Sequence, residues 1–302
     1  MSVEFPLDVR LDLRPAWQDL LRRRPAFRET LAIYGDVIDG WAGWAPSRPL
    51  GLALGADACR ASWQVGMPLV GEAARALRAE DVESLLGDAM EVLGRRDPAL
   101  GPPLQRLAGA WDDGSVTPAA LLPSRGRIGT GTVEQASGLT TAAVAFLAVA
   151  ALRPIVQAMY EPVRAHLAGG AWSLGVCPFC GGPPAFTDVI EDGRRRLTCH
   201  LCGGAWMFAR LSCPFCGIDG AQHVARFTPE EAREEGYVII ACRACRGYVK
   251  ELDRRVRWNG GPPLVEDWGS PHFDLIARRH GYWRPEDSLV LQLAGDGGDV
   301  PR

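Results

Sequence analysis

The chain has 302 residues, of which 47% are hydrophobic and 23% charged, with a formal net charge of −3. That is the size of about two globular domains, and the balance excludes a disordered tail, a collagen-like fibre and a strongly basic nucleic-acid coat. Nine cysteines are too sparse for a disulfide-knit secreted scaffold, and their number is odd. Eight of them lie between Cys177 and Cys245, and only Cys59 lies outside that window.

From the N-terminus, Met1 to Pro15 offers no basic region followed by an apolar run, so a cytoplasmic, reducing location is expected. Phe27, Leu31, Tyr34, Val37, Ile38, Trp41 and Trp44 recur at spacings of three and four, which predicts a helix with one broad apolar stripe. Val82, Leu85, Leu86, Ala89 and Leu93 repeat that period, with Gly94 and Pro98 as stop signals. Gly101 to Leu104 and Thr117 to Gly131 read as Pro- and Gly-rich linkers. Thr132 to Leu152 reads as a core helix broken by Pro154, and Ile155, Val156, Met159, Val163 and Leu167 as a further helical face ended by Gly169 and Gly170. The unbroken apolar run Ala142 to Leu152 is about half of what a bilayer requires, so a buried helix and no membrane span are expected.

Beyond Trp172 the period changes. Ala185 to Ile190 and Arg195 to Thr198 read as a hairpin around Asp192-Gly193. His223 to Phe227 and Tyr237 to Ala241 form a second strand pair, separated by a charged segment, Pro229 to Glu235, that suits a short helix. A last helix is expected over Pro271 to His280, stopped by Gly281, with fraying from Asp296.

The eight clustered cysteines form four C-x-x-C pairs: Cys177/Cys180, Cys199/Cys202, Cys213/Cys216 and Cys242/Cys245. Two intervening residues let both thiolates of a pair face one ion, and two pairs complete a tetrahedral four-sulfur site. The pentapeptide Cys177-Pro178-Phe179-Cys180-Gly181 recurs letter for letter at Cys213 to Gly217, and each copy is followed by a C-x-x-C-x-G. A duplicated knuckle, hairpin, knuckle unit favours sequential pairing: Cys177, Cys180, Cys199 and Cys202 around one ion, Cys213, Cys216, Cys242 and Cys245 around another. Zinc and a single rubredoxin-type iron both suit such a site. No βαβ unit places a pair as a thioredoxin-like dithiol.

With all eight thiols committed, no nucleophile or open metal position remains, and a non-catalytic protein is expected. The five histidines pair with no spaced carboxylate or nucleophile, and GxGxxG, Walker A and GxSxG motifs are absent. His200 reads as exposed, Cys59 as a small buried apolar residue, Trp206 and Trp268 as core or interdomain packing, and Asp267 and Asp274 as caps of a solvated terminal helix.

The run from Cys199 to Cys216, with Leu201, Trp206 and Arg210 at their places, resembles the core of the formate dehydrogenase accessory protein family, FdhE. Cys177 to Gly182 with Pro184 resembles that family's first knuckle, and Cys242 to Lys250, with its Tyr248 and Lys250, its last. Glu266-Asp267, Asp274-Leu275 and Gly281-Tyr282 are similar to its C-terminal signature, whereas Gly203-Gly204 and the short tail after Ala294 depart from it. The resemblance implies a cytoplasmic accessory protein that binds the catalytic subunit of a molybdenum- or tungsten-dependent formate dehydrogenase during maturation or before export. It also implies rubredoxin-like iron, with zinc as the alternative.

The reading is therefore an α+β protein: a helical domain over 1–170, rubredoxin or zinc-ribbon-like metal modules over 171–212 and 213–260, and a C-terminal helix and tail over 261–302. A zinc ribbon that binds nucleic acid is the main rival, together with rubredoxin-like electron transfer. Residues 177–257 carry 12 Lys/Arg against 10 Asp/Glu, and eight thiolates with two divalent ions would bring the window to about −2, which disfavours phosphate binding. Arg194 to Arg196 and Arg254, Arg255 and Arg257 read as solvated hairpin ends.

Overall fold

The structure, a computed structural model, describes residues 12–129, 131–167, 172–229 and 234–294. The Gly169-Gly170 stop, residues 230–233 of the charged segment and the tail from Asp296 lie outside the described residues.

The N-terminal half is helical. It comprises α1 (Arg14–Arg23), α2 (Ala32–Ala42), α3 (Ala56–Gln64), α4 (Val70–Ala76), α5 (Ala79–Arg96), α6 (Gly101–Asp112), α7 (Pro118–Leu121), α8 (Thr132–Ser137) and α9 (Thr141–Arg164). The first apolar stripe starts its α-helix at Ala32, because Pro25 to Phe27 forms a separate 3-10 turn, and Trp44 lies past its end. Gly94 does not close α5, which runs on to Arg96 and stops before Pro98. Gly101 to Leu104 is no linker: both prolines occupy the first turn of α6, where the missing N–H groups have no helical partner anyway.

Pro154 does not break the central helix. The real break is at Gly138, whose φ of +74° ends α8, and α9 is capped by Thr140 and then runs for 24 residues through both Pro154 and Pro162. Pro154 leaves the carbonyl of Ala150 without its usual donor, and the indole Nε1 of Trp41 supplies one at 2.7 Å. This helix is long and apolar enough to cross a membrane, and 89% of its most apolar window is buried inside the protein.

The second half builds one six-stranded sheet of order β3-β2-β1-β6-β5-β4, with β1 (Phe186–Val189), β2 (Arg195–Thr198), β3 (Ala205–Phe208), β4 (Val224–Phe227), β5 (Tyr237–Cys242) and β6 (Tyr248–Asp253). Both expected hairpins are present, and the Asp-Gly turn uses Gly193 at φ +82°. Each half of the sheet repeats one order: knuckle, two antiparallel strands, knuckle, third strand. The third strands, β3 and β6, were not expected. The halves join through parallel pairing of β1 with β6, Phe186 opposite Lys250 and Val189 opposite Asp253.

Alternation along β5 divides its side chains between two small cores: Tyr237, Ile239 and Ala241 on one face, Val238 and Ile240 on the other. The first face is covered by Phe273 and Ala277 of α11 (Pro271–Arg279), which ends one residue before the expected limit. Two further short helices, α10 (Pro263–Trp268) and α12 (Leu289–Leu293), return to the helical half. There Trp268 stacks on Tyr34 with ring centroids 4.4 Å apart, the packing role expected of it.

Candidate metal centres

The eight sulfurs gather into two quartets, each with all its sulfurs within 4.8 Å of one another: Cys177, Cys180, Cys199 and Cys202, and Cys213, Cys216, Cys242 and Cys245. This is the grouping that sequential pairing of the duplicated unit predicts. In the first, Cys177 lies 3.4 Å from Cys202 and Cys180 3.4 Å from Cys199. In the second, Cys213 lies 3.6 Å from Cys245 and Cys216 3.8 Å from Cys242. Metal–sulfur bonds of about 2.3 Å at tetrahedral angles require sulfurs about 3.8 Å apart, so the donor set and spacing fit a four-thiolate ion.

The knuckles share one backbone design. Cys177 N–H donates to the Gly182 carbonyl and Gly181 N–H returns to Cys177, and the same bond pair recurs at Cys199/Gly204, Cys213/Ile218 and Cys242/Gly247. The turn places its fifth residue at positive φ: Gly181 at +73°, Gly203 at +63° and Gly217 at +74°, but Arg246 at +63° in the last copy. Amides of Gly204, Phe215 and Gly247 each donate to a cysteine sulfur at 3.4 Å, which tunes a thiolate's charge. A Cβ on Gly204 would lie 2.6 Å from Phe179 and 3.2 Å from the Cys177 and Cys202 sulfurs.

Arg246 tolerates its left-handed backbone because its side chain is held. The guanidinium donates to the carbonyls of Gly281 and His280 and lies 3.9 Å over the Tyr282 ring. Trp283 closes the same corner, its indole donating to the Cys245 carbonyl at 2.7 Å. The C-terminal Gly281-Tyr282-Trp283 segment is thus the outer wall of the second centre.

The two centres differ in surroundings. The first quartet is completely buried, in one core with the helical half. Trp63 Nε1 donates to the Pro178 carbonyl at 2.9 Å, and two arginines of α9, Arg153 and Arg164, donate to the carbonyls of His200 and Cys202. The second quartet lies near the surface, with Cys216 exposed and Cys245 half-buried. Without a cation, four such thiols share their protons unevenly. Burial pushes the Cys180 thiol up, whereas hydrogen bonds from its three neighbours hold Cys202 low against its own burial. In the second quartet the Cys245 hydrogen bond brings Cys213 down to about 5. A divalent cation removes this conflict by compensating all four thiolates together.

Between the centres lies a charged cluster that sequence reasoning missed. Lys250 of β6 contacts Asp267 at 2.8 Å and Asp274 at 2.9 Å. Arg284 contacts the same carboxylates at 2.9 and 3.1 Å, and the Tyr248 hydroxyl donates to Asp274 at 2.8 Å. Asp267 and Asp274 are therefore buried ion-pair partners and not caps of a solvated helix. His200 is not exposed either: it is 2% accessible, with Nδ1 3.5 Å from Asp267, and burial lowers its pKa to about 3. His200 and Glu286 line a cavity of about 50 Å³, and burial pushes the Glu286 carboxyl up to about 8. Tyr248, Lys250, Asp267 and Asp274 are among the residues that carry the family resemblance outside the cysteines. Arg284 had no signal of its own.

The arginines depart from a solvated reading in part. Arg195 is buried, and Arg196 and Arg254 share the buried Asp188 at 2.6 and 2.9 Å. Arg194 and Arg255 pair locally with exposed or half-buried aspartates. Cys59 and Trp206 are buried as expected.

A helical layer packed on a sheet of duplicated four-cysteine knuckle units defines a protein with tandem rubredoxin or zinc-ribbon-like modules. No family profile matches the chain. It is 27% identical over 159 residues to the "Protein FdhE homolog" of Aquifex aeolicus, covering 51% of this chain and 54% of that one. It is 29% identical over 172 residues to the homologue of Pseudomonas aeruginosa, covering 49% and 52% respectively, and 32% identical over 121 residues to that of Stutzerimonas stutzeri, covering 38% of each. The matches to the first two relatives span about half of their length. The crystal structure of the FdhE protein from Pseudomonas aeruginosa superposes with a TM-score of 0.61 over 95% of this chain and 97% of that one at 21% identity, which shows a common fold. The chain is thus similar in sequence to FdhE homologues over about half of its length and shares the fold of one of them.

Proposed function

We propose that the chain is a formate dehydrogenase accessory protein that works in the cytoplasm, binds the enzyme's catalytic subunit during maturation or before export, and catalyses no reaction itself. Cys177, Cys180, Cys199 and Cys202 would hold one ion, and Cys213, Cys216, Cys242 and Cys245 a second, with iron favoured over zinc. The observation that carries this reading is the pair of four-sulfur quartets built by a duplicated unit in a chain similar to FdhE homologues. We also keep the division into a helical domain, two metal modules and a C-terminal segment as part of the proposal.

Bound iron would supply one-electron chemistry and bound zinc none. The chain's own residues define what else the centres do. The first joins the sheet to the helical core, and the second places its knuckles against the C-terminal segment at the surface. Neither quartet leaves a coordination position for substrate, which supports a binding role.

Elemental analysis after anaerobic preparation tests the ligand assignment: two ions per chain are expected, and well under two counts against it. A visible absorption band identifies iron, and a colourless loaded protein zinc. Co-purification with a formate dehydrogenase catalytic subunit tests the partner. Full formate dehydrogenase activity in a strain lacking the gene would sink the assignment.

A further inference from the structure

A cleft of about 950 Å³ runs between the two metal modules, past β3 and the first hairpin's tip. Its walls include Leu174, Met207, Phe208, Arg195, Arg210 and Pro214. Apolar groups that soluble proteins normally bury collect around it. Leu174 is 43% exposed and packs against Gly66, between Val65 at 73% and Met67 at 58%, and Leu211, beside Arg210, is 53% exposed. An exposed apolar patch of this kind, rimmed by charge, marks an interaction surface.

The cleft is lined by three arginines, Arg194, Arg195 and Arg210, and two aspartates, Asp192 and Asp219, of which Asp192 is paired with Arg194. Arg195 and Arg226 share one carboxylate, Glu251, at 3.6 and 3.7 Å, and Arg210 is exposed, its charge acting on Glu251 and Asp253. Arg195 is 2% accessible, yet its Nη2 has no hydrogen-bond partner. The Arg195 guanidinium runs over β1 toward β6, where Thr187 and Glu251 hold it, so the exposed Arg210 just past β3 is the cation that a carboxylate in the cleft would meet.

The duplication indicates how a ligand would lie. β3 and β6 are counterparts, each following the second knuckle of its unit. β6 has β5 on one edge and receives β1 in parallel on the other. β3 has β2 on the corresponding first edge, and among the described strands none on the other. The fold therefore already shows, on β6, the strand addition that β3 leaves open.

We propose that this cleft docks an extended segment of the client polypeptide, laid beside β3 as β1 lies beside β6, with an acidic side chain at Arg210 and apolar side chains on Leu174 and Phe208. The inference rests on the reading that the chain binds a client protein and names the surface and the chemistry of the segment it takes.

The test compares capture of a formate dehydrogenase catalytic subunit by the tagged, metal-loaded full chain, by a Leu174→Asp/Arg210→Glu variant and by a Trp258→Asp variant. Trp258 is a remote control, 82% exposed. Metal content and thermal midpoint confirm that each variant is folded. Wild type and the Trp258 variant are expected to retain the subunit, and the cleft variant to lose at least tenfold. Equal capture by the cleft variant overturns the docking site and leaves the partner reading intact. Failure of the wild-type chain to capture the subunit overturns the partner reading, and a second arm then decides the cleft. In that arm a dye-labelled Leu-Glu-Val-Glu-Leu peptide and its lysine counterpart are titrated by anisotropy. A preference for the acidic peptide that disappears in the Arg210→Glu chain supports the cleft, and no preference overturns it.

Discussion

The indole of Trp41 donates to the carbonyl of Ala150, the carbonyl that Pro154 cannot reach. A side chain of α2 thus repairs the hydrogen-bond ladder of α9 where a proline interrupts it, which lets the longest helix continue through the core. Trp41→Phe should cost about 1–3 kcal/mol, the price of an unsatisfied buried acceptor, read from chemical denaturation of the loaded protein. Placing the same substitution on a Pro154→Ala background should cost clearly less, because residue 154 then donates to Ala150 itself. Equal losses in both backgrounds would show that only ring packing matters.

The two centres should release metal at different rates. Cys216 is exposed and the first quartet is not, so a chelator or mild oxidant should remove the second ion first and the first only as the fold opens. Time-resolved metal release with a chromogenic chelator should be biphasic with one equivalent in each phase. Cys216→Ser should leave one ion bound and most of the helical signal intact, whereas Cys177→Ser should lower both.

Lys250 neutralises two buried aspartates together with Arg284. Replacing one member of a buried ion cluster leaves uncompensated charge, which typically costs about 3–5 kcal/mol. Lys250→Met should therefore be strongly destabilising, and adding Asp274→Asn should recover part of the loss, since the remaining Asp267 and Arg284 then balance. Denaturant midpoints of the two variants measure this directly.

Glu286 has its carboxyl raised by burial to about 8. A raised carboxyl favours folding most below its unfolded pKa of about 4.3, and that contribution falls as pH rises toward 8. Glu286→Gln, which stays neutral, should flatten the decline of thermal midpoint between about pH 5 and 8 relative to wild type. An unchanged slope would mean that Glu286 is ionised in the folded protein throughout.

What was legible in the sequence is what local chemistry encodes. The C-x-x-C spacing, the repeated Cys-Pro-Phe-Cys-Gly and the Asp192-Gly193 turn lead to the quartets and the first hairpin without reference to the rest of the chain. Pro102 and Pro154 misled because proline's effect depends on where it falls: harmless in a first turn, and compensated mid-helix by Trp41. β3 and β6 were missed as short strands directly after a knuckle, and the parallel β1–β6 pairing has no local signal. His200, Asp267 and Arg195 look like surface groups in sequence. Their burial depends on distant partners, Lys250, Arg284 and Glu251, that only the fold brings together.

The position of the first quartet has a consequence for how the protein is made. Synthesis proceeds from the N-terminus, so α1 to α9 are made before Cys199 and Cys202. Those helices bury their apolar faces partly against Phe179, Leu201 and the first knuckle pair. The core of the helical half is therefore completed by residues made after it, and on the proposed ligand assignment an ion held by Cys177, Cys180, Cys199 and Cys202 would lock that late-made part of the core in place.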